Sequence, residues 1–237
     1  RTVLLFACVM CSVVAGADAS PEKPNTALHA IAQELIDVGF REKQALTERL
    51  TTIEDPNTLK FMQVMVDGDL YYRKDDRVIV INGDDAITSF FTGQEVLLKS
   101  KRDIKKISVN NKLRIVLRGG IARLQVFSDD PEQRMQAAVN LLKSADDLDP
   151  ETLEQALNTE KNTDVNEVLL LVKGIRLLDA DNEAQRLEGI SLLSGSLYPD
   201  VRGALANFQR SAEADGRTTE LQAVNEAIEK IESLLTL

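Results

Sequence analysis

The stretch Arg134-Met135-Gln136-Ala137-Ala138-Val139-Asn140-Leu141 decides the fold, because its framework returns 52 residues later: Arg134, Met135, Ala138 and Leu141 recur as Arg186, Leu187, Ile190 and Leu193. The residues before it repeat as well. Leu117, Ile121, Leu124 and Phe127 correspond, at a shift of 51, to Val168, Val172, Ile175 and Leu178, and the odd residue is absorbed between Ser128-Asp129-Asp130 and Asp179-Ala180-Asp181-Asn182. All of these apolar positions step by three or four, the period of a helix that buries one face. Each unit therefore reads as two amphipathic helices that hide their apolar stripe only when stacked on neighbours. A period just above 50 lies a little beyond the ~40–47 residues of HEAT and armadillo units. The fold class expected is mainly α, a HEAT-like helical-hairpin repeat array, or α-solenoid, over 110–237.

Working outward, Leu46, Leu50 and Ile53, then Leu59, Met62 and Val66, extend the helical spacing into an N-terminal region over 20–69. Three helix starts share one device. In Asp55-Pro56, Asp130-Pro131 and Asp149-Pro150 the carboxylate can accept free amides while proline takes the first helical position at no hydrogen-bond cost. The helical period fails over 70–109. There Val78-Ile79-Val80-Ile81 runs into Asn82-Gly83, a strand entering a tight turn, and Tyr71, Tyr72 and Ile87 to Phe91 offer partner strands. This predicts a small β insert.

At the other end, Arg1 precedes a twelve-residue apolar run, Val3 to Val14, and then the small residues of Ala15-Gly16-Ala17 and Ala17-Asp18-Ala19. Residues 1–19 read as a signal peptide. Twelve residues rise about 18 Å as a helix, short of the ~30 Å hydrocarbon core. Both cysteines, Cys8 and Cys11, fall in this leader, and Met10 stands where a lipoprotein signal needs a small residue. The mature chain then has no thiol for oxidation, metal binding or nucleophilic attack. A start at Arg1 and an end at Leu234-Leu235-Thr236-Leu237 suggest a longer reading frame.

With 43% hydrophobic and 28% charged residues the 237-residue chain is neither disordered nor collagen-like. Its net charge of −10 argues against nucleic acid as a partner. The layout of charge is more telling than its sum. Between Lys99 and Arg123 stand nine basic residues and one acidic residue, Asp103; this segment carries +8 and the rest of the chain −18. One reading places Lys105, Lys106, Arg114 and Arg118 on a solvated edge or in pairs with neighbours such as Glu132 and Asp146. The other makes them a docking face for an acidic partner or for phosphate head groups.

Sites for chemistry are scarce. His29 is the single histidine and reads as a solvent-facing helix residue, and one histidine cannot build a His-rich metal site. There is no Gly-x-Ser-x-Gly elbow, His-Glu-x-x-His pair or phosphate loop, and Ser20-Pro21-Glu22-Lys23 lacks the companion motifs that its Ser-x-x-Lys pattern requires. The acidic groups at Asp146-Asp147-Asp149 and Asp179-Asp181 lack the glycine and distant glutamate of a calcium loop. No catalytic, cofactor or metal residue is expected.

Several segments carry a resemblance. Val109-Asn110-Asn111-Lys112-Leu113-Arg114, Leu124-Gln125-Val126-Phe127-Ser128 leading to Arg134, Asp67-Gly68-Asp69-Leu70, and Thr92-Gly93-Gln94-Glu95-Val96 together resemble the N-terminal extracytoplasmic region of the urea ABC transporter permease subunit. Ile228-Glu229-Lys230-Ile231-Glu232-Ser233-Leu234-Leu235 resembles the helix that in this family runs into the first membrane span. The similarity extends from about Ala27 to Leu237; Ser89-Phe90-Phe91 and Asp179-Ala180-Asp181-Asn182 depart from the family pattern.

The resemblance implies an exported module, in the periplasm, of a membrane-embedded subunit of a binding-protein-dependent urea importer. Its partners would be a second permease subunit, ATPase subunits and a urea-binding protein. The module itself has no apolar run of 18 residues with which to form a pathway. It would dock or brace. Structural or docking roles fall to Asn110, Asn111, Arg114, Lys105 and Lys106, the asparagines as caps of a helix opening after Val109 and Arg114 as partner of a carboxylate on a neighbouring unit. The alternative is a free-standing exported HEAT-like adaptor.

Overall fold

The computed structural model describes residues 26–236; the leader, its two cysteines and the Ser20–Lys23 pattern lie outside them. Ten α-helices, two 3-10 turns and one small antiparallel sheet make up the regular structure of the described residues. The N-terminal part is α1 (Thr26–Asp37), α2 (Phe40–Leu50) and α3 (Thr58–Asp67), followed by β1 (Leu70–Arg73), β2 (Ile79–Asn82), β3 (Ile87–Ser89) and β4 (Ile104–Lys106). Then come α4 (Asn111–Val126), α5 (Pro131–Leu141), α6 (Pro150–Thr159), α7 (Thr163–Leu177), α8 (Glu183–Leu193), α9 (Pro199–Ala214) and α10 (Thr218–Leu235).

Side-chain caps set most helix starts after the sheet. The Asn110 carbonyl oxygen accepts from the Leu113 amide at 2.8 Å, Asp130 from Glu132 at 2.9 Å, Asp149 from Thr152 at 2.9 Å, and Asn182 from Gln185 at 2.8 Å. Pro131 and Pro150 open their helices as the sequence predicts. Asp55-Pro56 differs. Its carboxylate accepts the Asn57 amide at 2.7 Å, which closes a turn two residues ahead, and α3 opens only at Thr58. The short Asx turn uses the carboxylate before the helix can.

The sheet order is β3-β2-β1-β4, all antiparallel. Three strands match the sequence reading. The fourth, β4, was not anticipated: Ile104-Lys105-Lys106 is too short and too charged to carry an alternation signal, and its strand geometry comes from pairing with β1.

Apolar burial forms two cores. The first gathers Leu28, Leu35, Leu50, Phe61, Met65, Ile79 and Ile107 from α1–α3 and the sheet, with Leu113 and Leu117 of α4. The second takes Ala122 and Val126 of α4 and continues through Leu141, Leu153, Val172, Leu193, Leu205 and Val224 to Ile231. Helix α4 thus belongs to both, and packs on α2, α3 and α5. A Cβ on Gly120 would lie 2.5 Å from Met62 Cε and 2.9 Å from Thr51 Cγ2, so the absent side chain is what lets α4 sit this close to α3. Beyond it α5 packs on α7, α7 on α8, α8 on α10, and α9 on α10. The α7–α8 contact is also close, and there it is backbone that stands in the way: a Cβ on Gly189 would lie 2.8 Å from the Gly174 carbonyl oxygen.

Candidate basic docking surface

The nine cations are presented by four consecutive pieces: an exposed loop, a 3-10 turn over Lys101–Asp103, strand β4, and α4. Ser100 accepts from the Arg102 amide, and the Asp103 carboxylate accepts from the Ser100 amide at 2.9 Å. This closed capping box occupies the segment's one acid. In β4, Lys105 stands opposite Tyr72 and Lys106 opposite Tyr71. Lys106 extends over the Tyr71 ring at 5.7 Å, while Lys105 shares the other face with Tyr72.

Behind Lys105 is a residue that sequence reasoning missed. Lys43 of α2 is 8% exposed and donates to the Ser108 carbonyl at 3.3 Å. Burial, and then the like charge of Lys105, pull its pKa below the ordinary lysine value. No acid lies within ion-pair distance of either amine among the described residues. Only the tertiary fold brings residue 43 to residue 105, so spacing carries no signal for the pair.

The helix end of the band is partly structural. Asn110 caps α4; Asn111 is its first helical residue, and its side chain makes no cap. Arg114 does not meet a carboxylate. It donates to the Val66 carbonyl at 2.6 Å, in the last turn of α3, where helical carbonyls lack partners and a cation is favoured by the helix dipole. Arg118 pairs with Asp147 at 3.3 Å, and Arg123 donates to the Thr152 hydroxyl at 3.5 Å. The anticipated partners are elsewhere, since Asp146 pairs with Arg176 and Glu132 pairs with none of these cations.

Among the described residues, then, one of the nine basic groups has a carboxylate within 4 Å. Of the 17 other described cations eight do, namely Arg49, Arg73, Arg77, Arg134, Lys173, Arg176, Arg186 and Arg217. One large apolar side chain of this segment is exposed, Ile115 of α4 at 56%. Clustered like charge of this kind draws an oppositely charged partner toward the surface.

Arg134 and Arg186 each sit at a cleft and make matching contacts. At the first, Arg134 donates to the Ser128 and Asp129 carbonyls and to buried Glu160 at 2.7 and 3.1 Å. At the second, Arg186 donates to the Ala180 and Asp181 carbonyls and to buried Glu220 at 2.9 and 2.6 Å. Each glutamate side chain is 3% exposed. The Arg134 guanidinium holds the Glu160 carboxyl below its usual value; burial pushes Glu220 up, and Arg186 with Arg217 outweighs it. The second cleft, about 590 Å³, is lined also by Asn207, Phe208 and Ser211. Its arginines are engaged internally, which suits a structural clamp.

The remaining candidates have local roles. His29 is exposed and its ring packs on Phe91 at 4.9 Å. Asp149 caps α6, and Asp147 and Asp146 pair with arginines. No helix among the described residues is long and apolar enough to cross a membrane. Compared with family models, curated proteins and solved structures, the chain matches none.

Proposed function

We propose that the chain is a non-catalytic, extracytoplasmic docking module of a urea ABC transporter permease subunit. In this reading it is a HEAT-like solenoid that engages the importer's urea-binding protein through the band around Ile115. The observation that carries docking is the charge layout: nine exposed cations, eight of them without a carboxylate in reach, on a chain whose remainder is −18. Such a patch steers an acidic partner over a Debye length and speeds encounter. The solenoid reading is supported by Arg134 and Arg186, which make the same turn and glutamate contacts one repeat apart. The importer itself rests on the resemblance of the segments around Asn110-Asn111-Lys112-Leu113-Arg114.

The test is to read the coding region onward from Leu237 and score its hydropathy in windows of about 19 residues. Several spans, in a protein that co-purifies with a urea-binding protein, are the expected result. A stop codon within a few residues would end the permease reading.

A further inference from the structure

Strand β4 is an outer strand of the sheet, paired on one side with β1. The Ile107 amide donates to the Leu70 carbonyl and the Lys74 amide to the Asp103 carbonyl, which fixes the antiparallel alternation. Residues 103, 105 and 107 turn their main-chain groups toward β1. Ile104 and Lys106 turn theirs outward, and neither the amide nor the carbonyl of either residue has a partner among the described residues. A free donor–acceptor edge thus runs along the most basic part of the molecule.

We infer that this edge accepts an extended acidic segment of a partner protein as a fifth strand, with two adjacent carboxylates opposite Lys105 and Lys106. The proposal rests on the docking reading above and specifies its mode. Because successive strand residues alternate faces, the carboxylate opposite Lys105 enters the corner that Lys105 shares with buried Lys43, and the next one meets Lys106 above Tyr71. Main-chain bonds to Ile104 and Lys106 supply the attachment and the two carboxylates the selectivity. A phosphate head group offers acceptors alone and leaves the outward carbonyls unmatched. A second copy of the chain, pairing β4 with β4, would set lysines against lysines, which is how edge strands resist self-association.

The test uses the full chain and three capped heptapeptides: Thr-Val-Glu-Glu-Val-Thr-Val, the same peptide with both glutamates N-methylated, and its Gln-Gln counterpart. Binding is followed by NMR at low salt, with amide hydrogen exchange read at Ile104 and Lys106. The parent peptide is expected to slow exchange of both amides at least about tenfold, and the other two to bind at least about tenfold more weakly. Lys105→Glu/Lys106→Glu should lose the parent peptide. Equal binding of the N-methylated peptide, with Ile104 and Lys106 still exchanging freely, overturns strand addition while leaving charge-based docking standing. Absence of binding by both acidic peptides also overturns it, as does capture of the chain by phosphatidylglycerol vesicles in their place; the docking reading is then judged by the urea-binding protein itself.

Discussion

Glu220→Gln removes one charge from a buried ionic cluster that joins Glu220 to Arg186 and Arg217. Its carboxylate accepts from Arg186 Nε at 2.9 Å, Arg186 Nη2 at 2.6 Å and Arg217 Nη1 at 2.7 Å, with its side chain 3% exposed. Glutamine fills the same space but keeps one acceptor and turns an amide N–H₂ toward the other guanidinium. Hydrogen bonds to charged groups contribute roughly 1.5–3 kcal/mol each, and breaking a buried pair costs about 3–5 kcal/mol. The arginines are 16% and 22% exposed and keep other partners, Ala180 and Asp181 for one, Ser211 and Asp215 for the other, so the net cost is lower, about 2–4 kcal/mol. For a chain of this size that is a fall in Tm of roughly 5–12 °C.

Acid provides an internal check. The folded Glu220 carboxyl titrates below its unfolded value, so as pH falls the unfolded chain takes up the proton first. The cluster's contribution is complete above the ordinary glutamate range and is lost as pH falls through the depressed folded value. Urea denaturation at neutral pH and again at acid pH should show the gap between wild type and Glu220→Gln narrowing. A difference below about 0.5 kcal/mol at neutral pH, or a gap that widens in acid, refutes the buried-clamp reasoning.

Three further substitutions probe other levels of the account. Leu141→Ala removes a side chain that is 3% exposed in the second core and should cost about 2–5 kcal/mol by denaturant titration; a cost below about 0.5 kcal/mol contradicts the repeat register. Gly189→Ala gains helix propensity, but its Cβ meets the Gly174 carbonyl and Leu177 Cβ at 2.8 and 2.9 Å, so calorimetry should show a net loss of roughly 1–3 kcal/mol; a stabilised variant means that α7 and α8 sit further apart. Arg114→Ala uncaps the α3 end and should lower stability by about 1 kcal/mol, and an unchanged Tm would leave that bond without energetic weight.

The helices were legible because apolar positions recur at helical spacing: Ala138, Leu141, Ile190 and Leu193 are all buried, although Phe127, expected in the same kind of stripe, is 37% exposed. The caps Asn110, Asp130 and Asp149 were legible for the same reason, since a cap is a local event. What escaped the sequence is long-range. Arg134 and Arg186 stood out as a matched pair, yet their glutamates lie 26 and 34 residues further on, on elements whose placement depends on how the units stack. Strand β4 exists because β1 offers it a ladder, and Lys43 joins the basic band only through the packing of α2 beside Ser108. Helix α4 showed its caps but not its double membership, which needs both cores to be in place.

The most direct test of the docking proposal is titration calorimetry of this chain against a urea-binding protein of the importer type proposed, at about 20 and 300 mM salt, for wild type and Lys105→Glu/Lys106→Glu. The account predicts binding that weakens at least about tenfold with salt and is lost in the charge-reversed variant. Affinity unchanged by both salt and charge reversal would contradict it.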